Sequence, residues 1–519
     1  MDPGSELSAY RKRENVSSPG LPLVEDSKKD ASSSDDRKPL SLSQLSEIDK
    51  RNFFSLVLLY MLQGVPVGLA FGSVPFLLKS KLSYGQIGIF TLASYPYSLK
   101  LLWSPVVDAI YDRGFGRRKS WIVPVQTLSA LVLLWLGAYI PPYMENAEEN
   151  LGTITLFFFV LVFLSATQDI AVDGWALTLM STPALSYAST AQTVGLNCGY
   201  FLSFTVFLAF NSEEFANKYF RTTPSDIPLV SLGQYLTFWG VVYLIMTILV
   251  ALFKKEGKSG EADRNGIIKV YTSMFQVLKL HNIQSLIIVH LLSKAAFQAN
   301  EAATNLKLLE KGLSKEDLSL IVLIDFPFEV IFGYYAAKWS TGKAPLEPWL
   351  LGFLGRLGYA FCSMLVVAAF PSDGPSTGYL LLVMAVHVLG NFMITIQFVS
   401  INAFHTQIAD PLIGGTYMTT LNTISNLGGQ WPRLIVLFGI DWFTSATCDV
   451  PGISSFSCSV AEGKQKCKDF KGTCNIHRDG YFVMGTFCVC LGLVLYFGYI
   501  KRKVQQLQVL PIRAWRVEE

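Results

Sequence analysis

An all-α polytopic membrane protein, with twelve transmembrane helices in two six-helix bundles, is the fold this sequence predicts. Three observations predict it. Of the 519 residues 51% are hydrophobic and only 16% are charged, where soluble domains carry nearer a quarter charged residues. The apolar residues fall in runs of the ~20 residues needed to cross ~30 Å of hydrocarbon. A polar, basic connector divides those runs six and six, which suggests two related bundles around a midplane site. Exposed backbone polar groups are not tolerated in lipid, so each run must be a helix. A formal net charge of +3 gives no ground for a nucleic-acid partner.

The predicted spans are 53–78, 86–110, 120–141, 151–174, 187–210, 232–253, 282–303, 317–338, 348–370, 378–402, 416–440 and 480–500. They divide the chain into an N-terminal bundle (51–253), a connector (254–280) and a C-terminal bundle (281–503). Residues 1–50, rich in Ser, Asp, Lys and Pro, read as a disordered cytosolic tail, and 504–519 as a second cytosolic tail. No secretory signal precedes the first span, which would itself serve as the targeting signal.

Orientation follows from Lys and Arg in short loops. The 111–119 loop carries Arg113, Arg117, Arg118 and Lys119; the connector and Lys501–Lys503 are also basic. By contrast, 142–150 carries Glu145, Glu148 and Glu149 with no Lys or Arg. Both termini are therefore expected in the cytosol, with Lys307, Lys311 and Lys315 running against the trend. Cys448, Cys458, Cys467 and Cys474 share the long non-cytosolic loop 441–480, while the other four cysteines lie in spans. Four cysteines in one polar loop on an oxidising side predict two disulfides in one of three pairings. The rival reading, a zinc site, lacks a C-x2-C pair.

Charges at membrane depth carry the functional signal, because each costs ~3 kcal/mol or more unless it is paired or faces water. Asp169 and Asp173 lie four residues apart on one face of the fourth span. They are candidates for proton coupling, or for ionised partners of Arg117 or Arg118. Asp108, Gly116, Arg117 and Arg118 resemble the signature between the second and third helices of the major facilitator superfamily, where such groups form a gating latch. Positive-inside topology alone would also account for the basic residues. Lys100 sits two turns before Asp108, near Tyr95, Tyr97 and Trp103. It either snorkels to the cytosolic face or meets an anionic substrate.

Lys294, Gln298 and Glu301 share a face of the seventh span, and Asp325 and Glu329 repeat the acid spacing in the eighth. Arg356 lies early in the ninth span, and Asn422, Asn426 and Gln430 form a polar stripe in the eleventh. Interhelical hydrogen bonding would explain that stripe as well as ligand binding would. His387 could be the general base of an intramembrane acyltransferase, although no second catalytic partner is evident. Nothing matches a P-loop or a dinucleotide fingerprint, so neither direct ATP-driven pumping nor a cofactor is expected.

Several blocks together resemble one family. They are Leu62–Leu69, Ser98–Asp108, Gly116–Trp121, Ala166–Leu177, Asp410–Met418 and Asn422–Pro432. All are similar to the acetyl-coenzyme A transporters of the endoplasmic reticulum membrane (solute carrier family 33), and the match runs from about residue 50 to 500. The looser Gln168-Asp-Ile-Ala-Val-Asp173 pattern is shared with bacterial muropeptide permeases. The resemblance implies the major facilitator fold, endoplasmic reticulum placement and import of acetyl-CoA for lumenal acetylation. A CoA carrier needs cationic or amide groups at membrane depth. Lys100, Lys294, Arg356, Asn422 and Asn426 are the candidates, with Tyr95, Trp103 and Trp175 as rings that could flank adenine. Asp169, Asp173, Asp325 and Glu329 are the candidates for proton symport, with uniport and exchange left open. Besides acetyl-CoA and the bilayer, a second copy of the chain is left open as a partner. Alternative functions are carriage of another organic anion or a peptide-like solute, acetyl transfer through His387, and a non-transporting receptor.

Overall fold

The computed structural model describes residues 45–516, apart from 113, 182–183, 185, 255, 257–263, scattered positions between 316 and 343, 373, 410–413, 451–452, 460. Among the described residues, eight helices are long and apolar enough to cross a membrane, and a ninth, His281–Lys311, turns by 84° away from the preceding Tyr271–Lys279. The expected eighth span, with Asp325 and Glu329, lies largely outside the described residues.

The first span, Glu47–Lys79, begins earlier than the apolar run because Ser46 caps it, its hydroxyl accepting from the Asp49 backbone N–H at 3.0 Å. Residues 45–50 are therefore helix start rather than tail. Pro66 removes one helical donor, and a wider π turn over Leu69–Ser73 follows directly. A Cβ on Gly64 or Gly68 would overlap backbone of the fifth span at Leu196 and Tyr200, and one on Gly199 would overlap Met61 and Gly64 in return. Small residues facing each other let two membrane helices pack backbone to backbone. The third span, Lys119–Glu145, meets the sixth, Leu232–Phe253, in the same way through Gly137 and Gly233.

The second span is not one helix. It runs as Tyr84–Phe90, Thr91–Ser94, Tyr95–Leu99, Lys100–Leu102 and Ser104–Ala109, alternating α and 3-10 turns. Pro96 and Pro105 start two of the α segments, where a missing N–H costs nothing to the segment they open. The fourth span is Leu151–Leu179, and the fifth continues from Ser186–Phe201 to Phe207–Phe210. In the C-terminal half the ninth to twelfth spans are Glu347–Ala368, Thr377–Ile408, Gly414–Phe443 and Gly480–Gln508. Buried leucines, isoleucines and aromatics form one apolar core across both halves and a further one within each half.

Three segments outside the expected spans carry structure of their own. The connector contains an amphipathic helix, Arg264–Lys279, whose Tyr271 hydroxyl donates to the Leu102 carbonyl at 2.5 Å. The C-terminal segment packs back on the bundle: Trp515 is fully buried, and its carbonyl accepts from the Tyr417 hydroxyl at 2.6 Å. The long loop forms a small cap. Its strands β1 (Ser445–Val450), β2 (Ile453–Ser457) and β3 (Thr473–Arg478) make an antiparallel sheet in the order β2-β1-β3, with a helix at Ala461–Asp469.

Within the cap, Cys448 pairs with Cys467 and Cys458 with Cys474, as two disulfides were expected, and their sulfurs are buried together. That pairing leaves no thiolates for the zinc reading. Closing loops of 19 and 16 residues stabilises the cap by roughly 3 kcal/mol per bridge in the chain-entropy account. A non-reduced proteolytic digest should yield peptides linked 448–467 and 458–474. Cys198, Cys362, Cys488 and Cys490 should alkylate without reductant once the chain is unfolded.

Candidate functional site

Two acids of the fourth span, Asp169 and Asp173, find different partners within the N-terminal half. Lys100, held where the second span breaks into a 3-10 turn, forms an ion pair with fully buried Asp169. Asp173, one turn later, accepts from the Tyr60 hydroxyl and the Gln192 amide, each at 2.8 Å. Trp103 donates its ring N–H to Thr167 at 3.1 Å, and Trp175 is buried in the bundle core. Trp103, Trp175, Lys100 and Tyr95 are all absent from the lining of the cavity between the halves, described below. Lys100 therefore does not snorkel to an interface. Its charge is cancelled within its own half.

At the end carrying the 111–119 loop, Arg118 reaches the Asp108 carboxylate at 2.5 Å. Arg117 lies 3.8 Å from the same oxygen and donates its Nε–H to the Asp108 carbonyl at 2.9 Å. Gly116 adopts a φ of +107°, a left-handed conformation that favours glycine, and it lets the loop turn back. The Arg118 guanidinium lies flat against Gly174, where any Cβ would overlap it. This explains why a glycine follows Asp173: it makes room for the Arg118 guanidinium. Asp169 and Asp173 take other partners than Arg117 and Arg118 in these contacts.

The C-terminal half is built differently. Between the two halves lies a cavity of about 450 Å3, bounded on the N-terminal side by Val67, Phe71, Tyr97, Ser98 and Tyr200. Its opposite wall carries Lys294, Gln298 and Glu301 from the seventh span, Arg356 from the ninth, and Gln397 from the tenth. The eleventh adds Asn426, Gln430 and Arg433. Ligand sites typically fall in this size range, with a few convergent polar groups on an apolar wall. Arg356 is buried, ion-paired with Glu301, hydrogen-bonded to Gln397 at 2.7 Å, and stacked over the Phe297 ring at 4.0 Å. Gln298 donates to the second Glu301 oxygen at 2.9 Å.

With Glu301 committed to Arg356, neither Lys294 nor Arg433 has an ion-pair partner among the described residues, and the Arg433 Nε is buried without a hydrogen bond. Three cations thus face one carboxylate in the same cavity. Arg433 continues the stripe of Asn426 and Gln430 by one further turn. Extending the i, i+4 register by three residues would have found it. Gln430 also ties the halves together, accepting from the Ser94 hydroxyl at 2.8 Å.

Asn422 turns away from the cavity. Its side-chain oxygen lies 3.2 Å from His405 Nδ1, and His405 Nε2 lies 3.0 Å from His290 Nε2. Two buried histidines therefore form a relay beside Lys294 that sequence spacing, 115 residues apart, could not reveal. His387 packs edge-on to Tyr359, with ring centroids 6.3 Å apart, and does not line the cavity.

Two helical halves, a broken second span and a charged cavity between the halves make up a fold of the major facilitator type. Solved structures agree on the fold. A bacterial homolog of the human lysosomal transporter Spinster superposes with a TM-score of 0.61 at 12% identity, covering 90% of this chain and 100% of that one. The nucleoside transporter NupG gives a TM-score of 0.57 at 11% identity, covering 88% and 100%.

The profile of the family described as acetyl-coenzyme A transporter 1 matches residues 52–262, 256–346 and 342–517, and the chain belongs to that family. An uncharacterized membrane protein of Saccharomyces cerevisiae, YBR220C, is 47% identical over 91% of this chain and 98% of its own. A putative transporter of Rickettsia typhi, AmpG 3, is 31% identical over 30% of this chain and 36% of its own. The protein is a multi-pass membrane transporter.

The latch makes a testable prediction. Gly174→Ala should displace Arg118 from Asp108 and lower stability in detergent by about 1–3 kcal/mol, as overpacking does. In an Arg118→Ala background the same substitution should cost far less, a coupling that thermal denaturation of the four proteins would read.

Proposed function

We propose that this transporter carries acetyl-CoA from the cytosol into the lumen of the endoplasmic reticulum by alternating access, with the CoA phosphates held in the cavity between its halves. The observation that carries this reading is the pair Lys294 and Arg433, two cations at membrane depth without carboxylate partners among the described residues. Leaving a cation uncompensated there is expensive, so an anionic cargo is the natural source of compensation. Arginine and amide groups suit phosphate oxygens in particular, through charge-assisted and forked hydrogen bonds. Membership of the acetyl-coenzyme A transporter family supports the choice of cargo.

The binding set proposed from the geometry is Lys294, Arg433, Arg356, Asn426 and Gln430, with Tyr97 and Tyr200 as the rings available to adenine. Lys100, Asp169 and Asp173 then serve the N-terminal half as a structural and gating network, alongside the Asp108–Arg118 latch. Basic residues in the 111–119 loop and the connector support a cytosolic placement of that end. The two disulfides support a lumenal placement of the cap.

The experiment is uptake into proteoliposomes holding only this chain, using acetyl-CoA labelled separately in the acetyl and CoA moieties. Matched accumulation of both labels, competed by unlabelled acetyl-CoA, is expected. Lys294→Gln and Arg433→Gln should each raise KM about tenfold or more, since breaking a buried charge contact costs about 2–5 kcal/mol. Arg433→Lys should recover only part of the loss, because one ammonium cannot replace a guanidinium fork. Entry of the acetyl label alone would replace this reading with acetyl transfer.

A further inference from the structure

The end of the bundle beneath the cap is where the two halves hold each other by charge. Glu310, near the end of the seventh span, is the hub. Its Oε2 accepts from the Tyr84 hydroxyl at 2.9 Å and lies 3.3 Å from Lys307 Nζ and 3.8 Å from Lys79 Nζ. Tyr84 and Lys79 belong to the N-terminal half, whereas Lys307 is one turn back on the same helix as Glu310 and also pairs with Asp479 at 2.7 Å. Beside the hub, the Asp441 carboxylate of the eleventh span accepts from the backbone N–H groups of Tyr84 and Gly85 at 3.1 and 2.6 Å. Immediately below, Gly88 packs on Leu434 and Leu437. For the halves to part at this end, all the contacts to Tyr84, Gly85 and Lys79 must break.

The other Glu310 oxygen belongs to the cap. Lys464 Nζ lies 2.5 Å from Oε1, and Lys464 sits one turn before Cys467 on the cap helix, whose disulfide to Cys448 fixes that helix to β1. Between the cap and the hub is a space of about 940 Å3, lined by Lys79, Tyr84, Glu310, Asp441 and Lys464.

We propose that the disulfide-bonded cap is a working part of the transport gate, and that Lys464 is the positioning residue that keeps the Glu310 contact reversible. Lys464 shares one carboxylate with Lys79, so it draws off part of the charge that holds Lys79 and repels that ammonium across a short gap. When the N-terminal half withdraws, Glu310 keeps Lys464 and Lys307 and is not left uncompensated. The cap thus raises the energy of the closed gate and lowers that of the open one. Without it, Glu310 would bind Lys79 more tightly and keep only Lys307, which it shares with Asp479, on opening. The disulfide enters because it sets where Lys464 stands. This inference rests on the transporter fold and not on the identity of the cargo.

The test reads gate opening directly. In the full-length chain, with Cys198, Cys362, Cys488 and Cys490 replaced by alanine, fully buried Leu437 becomes the reporter as Leu437→Cys. A membrane-impermeant maleimide is added from the cap side. Lys464→Gln should slow labelling by about threefold or more, the scale of one partly exposed ion pair, and Lys464→Arg should restore it. Glu310→Gln, which removes the hook itself, should speed labelling. Opposite signs at two neighbouring positions cannot come from misfolding. Replacing Cys448 and Cys467 together with alanine should slow labelling as Lys464→Gln does, with no further change when the two are combined. Faster or unchanged labelling in Lys464→Gln, or additive effects with the disulfide variant, would overturn the proposal.

Discussion

Every charge in the core of this protein answers to the cost of holding an ion away from water. In hydrocarbon surroundings an uncompensated charge costs several kcal/mol, and at three places the fold buries opposite charges together. Lys100 meets Asp169 across two spans of the N-terminal half. Arg356 meets Glu301 across two spans of the C-terminal half. Lys307 meets both Glu310 and Asp479 under the cap. Lys294 and Arg433 stand out against this background because both face the same space and neither meets a described carboxylate.

The two halves divide the work. In the N-terminal half the Asp173 carboxylate finds its partners inside its own bundle, in Tyr60 and Gln192. In the C-terminal half the comparable groups point across at the other bundle, and amides such as Gln397 and Gln430 flank the cations. On the proposed reading, one half is a wall with the Asp108–Arg118 contact at its foot, and the other binds the cargo. The charge contacts at the two ends rest on different physics. A short arginine–aspartate contact serves the loop end, while a shared carboxylate with several competing lysines serves the cap end.

Much of the architecture was legible in the amino-acid sequence, because span length and apolar clustering are set by bilayer thickness. The contact between Asp108 and Arg118 was legible because their spacing in the chain is short. Cavity residues were harder to find. Lys100 and Lys294 look equivalent as intramembrane lysines, and only the packing shows that one has Asp169 beside it while the other does not. Arg356, early in its span, has the look of an interfacial anchor, yet the helix places it against Glu301 and Phe297. Tyr95, Trp103 and Trp175 were chosen for their ring chemistry. Their positions on the faces of broken or tightly packed helices turn two of them into core residues. His290 and His405 come together only through tertiary structure.

The glycine-lined contact between the first and fifth spans carries a mechanical consequence. Gly64, Gly68, Gly195 and Gly199 bring two backbones into direct contact with almost no side chain between them. A joint of that kind has no flexible filler to shear, so the two helices behave as one stiff plank. The second span is the opposite, five short segments strung through 3-10 turns and prolines. Bending during a transport cycle would then collect in that span, which is also the one whose first residues are gripped by Asp441 and Glu310. Stiffness in one pair of helices thus selects which other helix yields.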